Sequence, residues 1–520
     1  MSTTYNPDDL PFSDPGDLRQ ELGRVFEICH GCRVCFNLCP SFNDLFNAID
    51  RYDGQPARMT FAEQDKVTQE CYQCKLCALR CPYVPPHEWL VDFPKLMMRA
   101  MIQRRVAGHM PLRERISDEV LSRTDLSGRV ATAFADLVNP VLAARNGTAR
   151  KVMDITSGVS SQRLLPPYAK RRFSTWFRRD HVEKVAIRGS RTIAQQVDSD
   201  GEDASVSGAS VNRGGEVGAL ESNSATVHIG ESAGSSLPVT GPATYKREVA
   251  IFPTCFVEYM DPGIGRDLVG VLEHTGTACT LPQGIRCCGA PWLHSGRIDR
   301  FRKVAKANIE AMQDSMKRGS PVIVPQATCG YVMRKDYPAL IDGEEAKLLA
   351  SRVRDPAEYL LDLRRTEREV FDSSFPPEVV GGAGESGVAR RAGLQLDGGT
   401  GDVAGKVGSP ENKAITYHVA CHTQAQGIGL KERDLLKLAG YEVNLVNKCA
   451  GIDGTWGYRS KNYSLARGVA QPMKRAIEGG GSDDVCGDCH LANYAILEET
   501  GIRPVHPIQA IARAYGIYPD

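Results

Sequence analysis

The 520-residue chain predicts an α+β multidomain protein, with a helical, cysteine-rich N-terminal domain followed by a duplicated α/β unit. Three observations predict it. The spacing C-x-x-C-x-x-C-x-x-x-C-P occurs twice before residue 83, in helix-compatible surroundings. Beyond residue 246, short β-rich runs alternate with helical patterns, and the runs end in cysteine, as in "REVAIFPTC" and "AITYHVAC". Finally, Cys255, Cys287 and Cys329 recur as Cys421, Cys449 and Cys486, each shifted by about 160 residues, which marks an internal duplication.

The N-terminal domain is expected over residues 1–120, where "DLRQELGRVFEI" leads into the first motif and "LVDFPKLMMRAMIQRRV" follows the second with helical spacing. A helical connector spans 121–188. Residues 189–245 form a Gly/Ser-rich stretch too poor in apolar surface to offset its ordering entropy, so a disordered linker is expected. The two α/β lobes are assigned to 246–364 and 413–520, with a flexible insertion at 365–412. Within that insertion "TGDVAGKV" fails as a phosphate loop, because Thr400 and Val407 occupy its first Gly and its Ser/Thr positions.

Lysine plus arginine and aspartate plus glutamate number 63 each, so no net field points to nucleic acid. The polar, acidic N-terminus and the lack of a long apolar run predict a cytoplasmic protein without a membrane span. Seventeen cysteines, grouped as C-x-x-C in a large chain without a secretory signal, read as reduced, metal-binding thiols.

Three cysteines at i, i+3 and i+6 wrap three corners of a [4Fe–4S] cube, and the fourth reaches the other cluster in two-cluster ferredoxins. The motifs therefore predict two [4Fe–4S] clusters with crossed ligation: Cys29, Cys32, Cys35 and Cys81 on one, Cys71, Cys74, Cys77 and Cys39 on the other. Zinc sites need no third evenly spaced cysteine. His30 reads as a solvent-facing or potential-tuning neighbour. Cys279 fits no motif and reads as core.

The later cysteines carry a family resemblance. "RCCGAPW" with Cys255 and Cys329, and "CAGIDGTWGYRSKNY" with Cys421 and "CGDC", are similar to the paired CCG domains of heterodisulfide reductase and of the iron-sulfur subunits of glycolate oxidase and lactate utilisation. With the N-terminal domain and the connector "LPPYAKRRFSTWF", the whole most resembles the family of the iron-sulfur subunit of anaerobic glycerol-3-phosphate dehydrogenase. The resemblance implies five cysteines per lobe holding a further iron-sulfur cluster or zinc. Here Val332 and Ala450 replace one cysteine in each lobe, leaving Cys255, Cys287, Cys288 and Cys329 in the first and Cys421, Cys449, Cys486 and Cys489 in the second as candidate metal ligands. His422 and His490 are candidates for the vacant positions.

No flavin, nicotinamide or phosphate fingerprint and no nucleophile with a base is present, so no catalytic residue is assigned. The resemblance implies an electron-transfer subunit of a multisubunit oxidoreductase, passing electrons from a flavin dehydrogenase of glycerol 3-phosphate, glycolate or lactate type to a quinone or another carrier. The alternatives are a heterodisulfide reductase-like catalytic subunit and a zinc-stabilised assembly scaffold. "PKLMMRAMIQRRV" and "KRRFSTWFRR" are amphipathic and basic, suited to packing on a neighbouring domain or to an anionic membrane face or membrane subunit.

Overall fold

The protein is described here by a computed structural model over residues 5–182, 245–375, 414–452 and 454–517. Its N-terminal domain is helical. The helix Pro15–Cys32 starts where the Asp14 carboxylate accepts the Gly16 N–H and ends at Arg33, whose left-handed backbone turns the chain into the first cysteine loop. Cys39 caps the next helix, Pro40–Asp50, whose first residue is the motif proline, already fixed at helical φ. Helices Phe61–Glu70 and Phe93–Val106 complete the domain around Leu22, Phe26, Phe42, Phe46 and Leu96.

Four neighbouring helices, Leu112–Ser122, Thr124–Ala133, Ala135–Ala143 and Thr148–Ser157, follow. Glu114 and Asp118 on the first of them are buried. Glu114 pairs with Arg104 at 3.1 Å and Lys461 at 3.2 Å, and Asp118 with Arg105 and Arg459. Two carboxylates thus hold the N-terminal domain to the last third of the chain. Phe173, Trp176 and Phe177 are buried against the first lobe, and Leu96 and Met97 lie inside the N-terminal core. Both stretches with membrane-like composition are therefore mainly interior packing, with Val106 at the end of the first left exposed.

Each lobe carries a parallel sheet. In the first, β1 (Arg247–Ile251), β2 (Thr277–Thr280), β3 (Val322–Ile323) and β4 (Val353–Arg354) are ordered β2-β1-β3-β4; in the second, β5 (Ala414–His418), β6 (Glu442–Val446) and β7 (Val485–Gly487) are ordered β6-β5-β7. All the strand pairs are parallel, so the loops following them open at one edge of each sheet. The expected linker 189–245 lies outside the described residues except at Tyr245, as does the rejected phosphate loop. The expected insertion 365–412 begins differently: Arg368–Ser374 is a helix, because Phe371 and Phe375 are buried in the core shared by both lobes.

Between the lobes three acids meet. Glu432 and Asp355 share a hydrogen bond, and the Tyr417 hydroxyl lies 3.1 Å from Glu432 and 3.2 Å from Asp488. Burial, reinforced by the neighbouring acids, pushes Glu432 far up and Asp355 up to about 7. The folded state consequently holds protons that the unfolded chain releases near pH 4, so this group's contribution to stability is lost as pH rises from about 4 to about 7. Glu432→Gln supplies a permanent donor to Asp355. Its chemical denaturation midpoint is expected to fall less than wild type's over that window, leaving it about 1 kcal/mol the more stable at pH 8. A variant less stable than wild type at pH 8 would refute the protonated Glu432.

Candidate functional site

The eight N-terminal cysteines fall into two groups. The thiols acting on Cys29 are Cys35, Cys81 and Cys32, and those acting on Cys35 are Cys81 and Cys32. Around Cys77 stand Cys74, Cys71 and Cys39, with Cys35 of the other group the weakest of the four thiols acting on it. The fold thus brings Cys81 to the first motif and Cys39 to the second. Burial pushes every one of these thiols up where a shift is resolved, Cys35 to about 11. Thiols must be deprotonated to bind a metal, and a cationic cluster core supplies the compensation that their surroundings lack.

Cys39, Cys71, Cys74 and Cys77 line one small, mostly apolar cavity with Phe42, Tyr72, Lys75 and Phe93. A four-thiol lining around an apolar cavity fits an iron-sulfur cluster. The first group differs in setting: Val34, Phe36, Leu79 and Trp89, on its loops, are exposed. Second-neighbour contacts also differ. The Tyr83 N–H points at the Cys81 sulfur at 3.4 Å, whereas His30 turns away to Asp50 at 3.1 Å.

In the first lobe all four candidates meet. Cys255 and Cys329 sit on short helices after β1 and β3, and Cys287 and Cys288 on the loop after β2. Hydrogen bonds from Cys255 and Cys288 pull Cys287 down, and Cys288 also reaches Cys329. Gly289, at φ 92°, turns the chain away with Phe301 directly behind it. Asp125, from the connector, receives the Cys287 N–H at 3.0 Å, and burial pushes this carboxyl up to about 6. The sequence carries no signal for Asp125, which is 162 residues away.

The second lobe is less complete. Cys421 starts the helix after β5, Cys449 follows β6, and Cys489 caps the helix after β7, with the Gln326 amide 3.7 Å from its sulfur. Cys486 does not join them. It lies within β7, opposite Tyr417, and strand alternation turns its side chain into the apolar core among Tyr417 and Ile511. The charges acting on it are those of Asp488, Glu432 and Asp484. His422 lies 3.9 Å from the Cys421 sulfur but binds Thr328 and the Gln73 carbonyl; His490 stacks on Phe256, 4.4 Å between centroids. Cys279 is core, as expected. Among the described residues no three His, Cys, Asp or Glu side chains gather for a single metal ion, where thiolates on one zinc would stand about 3.8 Å apart.

Comparison with known proteins follows this division. The Cysteine-rich domain family, CCG, matches residues 249–334 and 415–492, and the Citrate utilization protein B Fer4-like domain matches 22–107. Lactate utilization protein A of Bacillus subtilis (strain 168) is 30% identical over 253 residues, covering 46% of this chain and 87% of the relative. The chain belongs to this CCG-domain family of iron-sulfur proteins. Within the family, a subunit of anaerobic glycerol-3-phosphate dehydrogenase from Escherichia coli (strain K12) aligns end to end, 27% identical over 492 residues, 94% of this chain and 98% of the relative. A subunit of fumarate reductase (CoM/CoB) from Methanothermobacter marburgensis is 26% identical over 49% of this chain and 44% of its own length. Family membership makes iron-sulfur electron transfer the chemistry of the chain.

Proposed function

We propose that the protein is the iron-sulfur subunit of a multisubunit oxidoreductase, carrying two [4Fe–4S] clusters on Cys29, Cys32, Cys35, Cys81 and on Cys71, Cys74, Cys77, Cys39. The grouping of these eight thiols into two crossed sets of four carries the reading. A flavin-containing dehydrogenase of glycerol 3-phosphate, glycolate or lactate type supplies the electrons, the first and last of these substrates being in the relatives' names, and a quinone or another carrier receives them. Such clusters pass one electron at a time. This chain's residues hold them: the helices on either side of the motifs set the cysteine spacing, and the apolar core excludes water. Cys255, Cys287, Cys288 and Cys329 form the first-lobe centre, and Cys421, Cys449 and Cys489 contribute to a second. Anaerobic redox titration followed by electron paramagnetic resonance tests the reading; fewer than two cubane signals would defeat it.

We also propose peripheral attachment to an anionic membrane face. No helix among the described residues is long and apolar enough to cross a membrane. However, Leu112, Leu126, Phe134, Leu137, Val152 and Ile155 on the four connector helices are 54–74% exposed. The acids Glu114 and Asp118 are turned inward, while Arg113, Arg123 and Arg145 remain about half exposed, each paired with an acid, Asp154, Glu119 and Glu498 in turn. Exposed apolar side chains flanked by half-exposed arginines suit a lipid interface. Full-length protein is expected to float with phosphatidylglycerol vesicles at low salt, and Phe134→Glu with Leu137→Glu to cut the bound fraction about tenfold, a loss of about 1.4 kcal/mol. Equal flotation of variant and wild type would count against this face.

A further inference from the structure

We propose that the Cys39/Cys71/Cys74/Cys77 centre is joined directly to the second lobe through a Tyr72–Cys449 contact, making this centre, and not its partner, the exchange point between the N-terminal pair and the rest of the chain. The inference rests on the two-cluster reading above.

The contact is built from both sides. Tyr72, between two cysteines of the second motif, is buried, and its hydroxyl lies 3.5 Å from the Cys449 sulfur. Its ring packs on Trp456, 5.1 Å between centroids, and the indole N–H donates to the Gln69 carbonyl at 3.0 Å. Tyr72, Trp456 and Ala466 form a small apolar cluster against which Cys39, Cys74 and Cys449 pack together. Cys449 is among the thiols acting most on Cys39 and Cys74, and none of those comes from the first lobe. A second strut runs alongside, where His422, next to Cys421, meets the Gln73 carbonyl at 3.2 Å. The Cys71–Cys77 loop is thus seated between the two second-lobe segments that carry Cys421 and Cys449.

Electron exchange between centres weakens steeply with separation, and this contact brings half-buried Cys39 and Cys74 against a candidate ligand of the second lobe. With clusters held by these cysteines, the contact would serve the passage of one electron between the N-terminal centre and whatever redox group the second lobe serves, with no bond formed or broken. Tyr72 is a positioning residue: its hydroxyl and the Gly451 N–H, at 3.3 Å, both meet the Cys449 sulfur, and the same side chain covers Cys39 and Cys74, so losing the hydroxyl changes the polarity and solvent access around the N-terminal centre, which help to set cluster potentials.

The test is potentiometric titration of anaerobically purified full-length Tyr72→Phe and Cys449→Ser, read by electron paramagnetic resonance. Each variant should keep both cubane signals. At the wild-type midpoint of one of them, the oxidised-to-reduced ratio should change about threefold, of the order expected for one hydrogen bond, while the other signal stays fixed. The responsive signal must be the one lost in Cys74→Ser. A response in the signal lost in Cys32→Ser, or none in either, overturns the proposal while the two-cluster reading stands; wild-type protein without two cubane signals overturns both. Tyr72→Phe removes a single oxygen and carries the test if Cys449→Ser fails to fold.

Discussion

Replacing Cys39 with serine is expected to erase the same cluster as replacing Cys74, although Cys39 belongs to the other sequence motif. Likewise Cys81→Ser should match Cys32→Ser. The grouping of Cys29 with Cys81, and of Cys39 with Cys77, sets this outcome. Iron and acid-labile sulfide in the N-terminal domain should fall from about eight to about four per chain in each variant, with one of the two spectroscopic signals surviving. The surviving signal identifies the pairing. If Cys39→Ser instead shares the spectrum of Cys32→Ser, each motif holds its own cluster and the crossed arrangement is wrong.

The second large effect is on folding. Gly451 holds φ 65°, and a β-carbon there would stand 2.1 Å from the Ala466 carbonyl oxygen. Neither backbone can yield cheaply, since Ala466 lies inside the helix Ser460–Glu478. Gly451→Ala is expected to lose more than about 3 kcal/mol of stability through combined strain and overlap. Gly481→Ala is the matched control, also left-handed at φ 70° but with no atom within 4 Å of the new carbon. It should cost only about 1 to 2 kcal/mol. Urea denaturation followed by circular dichroism compares them, and similar losses in both variants would show that the Ala466 carbonyl is not the obstacle.

What was legible in the sequence was local. Cysteines three residues apart announce a cluster because one turn of chain does the wrapping, and strand-then-helix alternation announces parallel sheets. Cys486 misled because its neighbours in sequence are motif residues while its place within β7 makes it core. A shift along a strand of one residue exchanges one face for the other, and the pattern "DDVCGDC" does not fix where the strand stops. Asp125 beside Cys287, Tyr72 beside Cys449, and Asp355 beside Glu432 depend on chain segments that meet only after folding. The basic amphipathic stretches pack on neighbouring domains, one of the two roles their composition allowed, and the choice was not legible locally: periodicity shows that a helix has an apolar face, and only the fold shows that Phe173 is covered and Leu137 is not.

The proposed exchange of Cys39 and Cys81 between motifs would also constrain how the protein is made. Neither proposed cubane could be completed on a nascent chain until residue 81 for one, or residue 77 for the other, had left the ribosome, so iron delivered early would find neither set whole. Once both were filled, the segment from Cys39 to Cys71, with the helices Pro40–Asp50 and Phe61–Glu70, would be a ring closed by one cluster and nested inside the longer ring from Cys35 to Cys81 closed by the other. Oxidative loss of the cluster on Cys81 would open the outer ring and leave the inner one closed, whereas loss of the cluster on Cys39 would open the inner ring alone, so the two losses would slacken the domain to different extents.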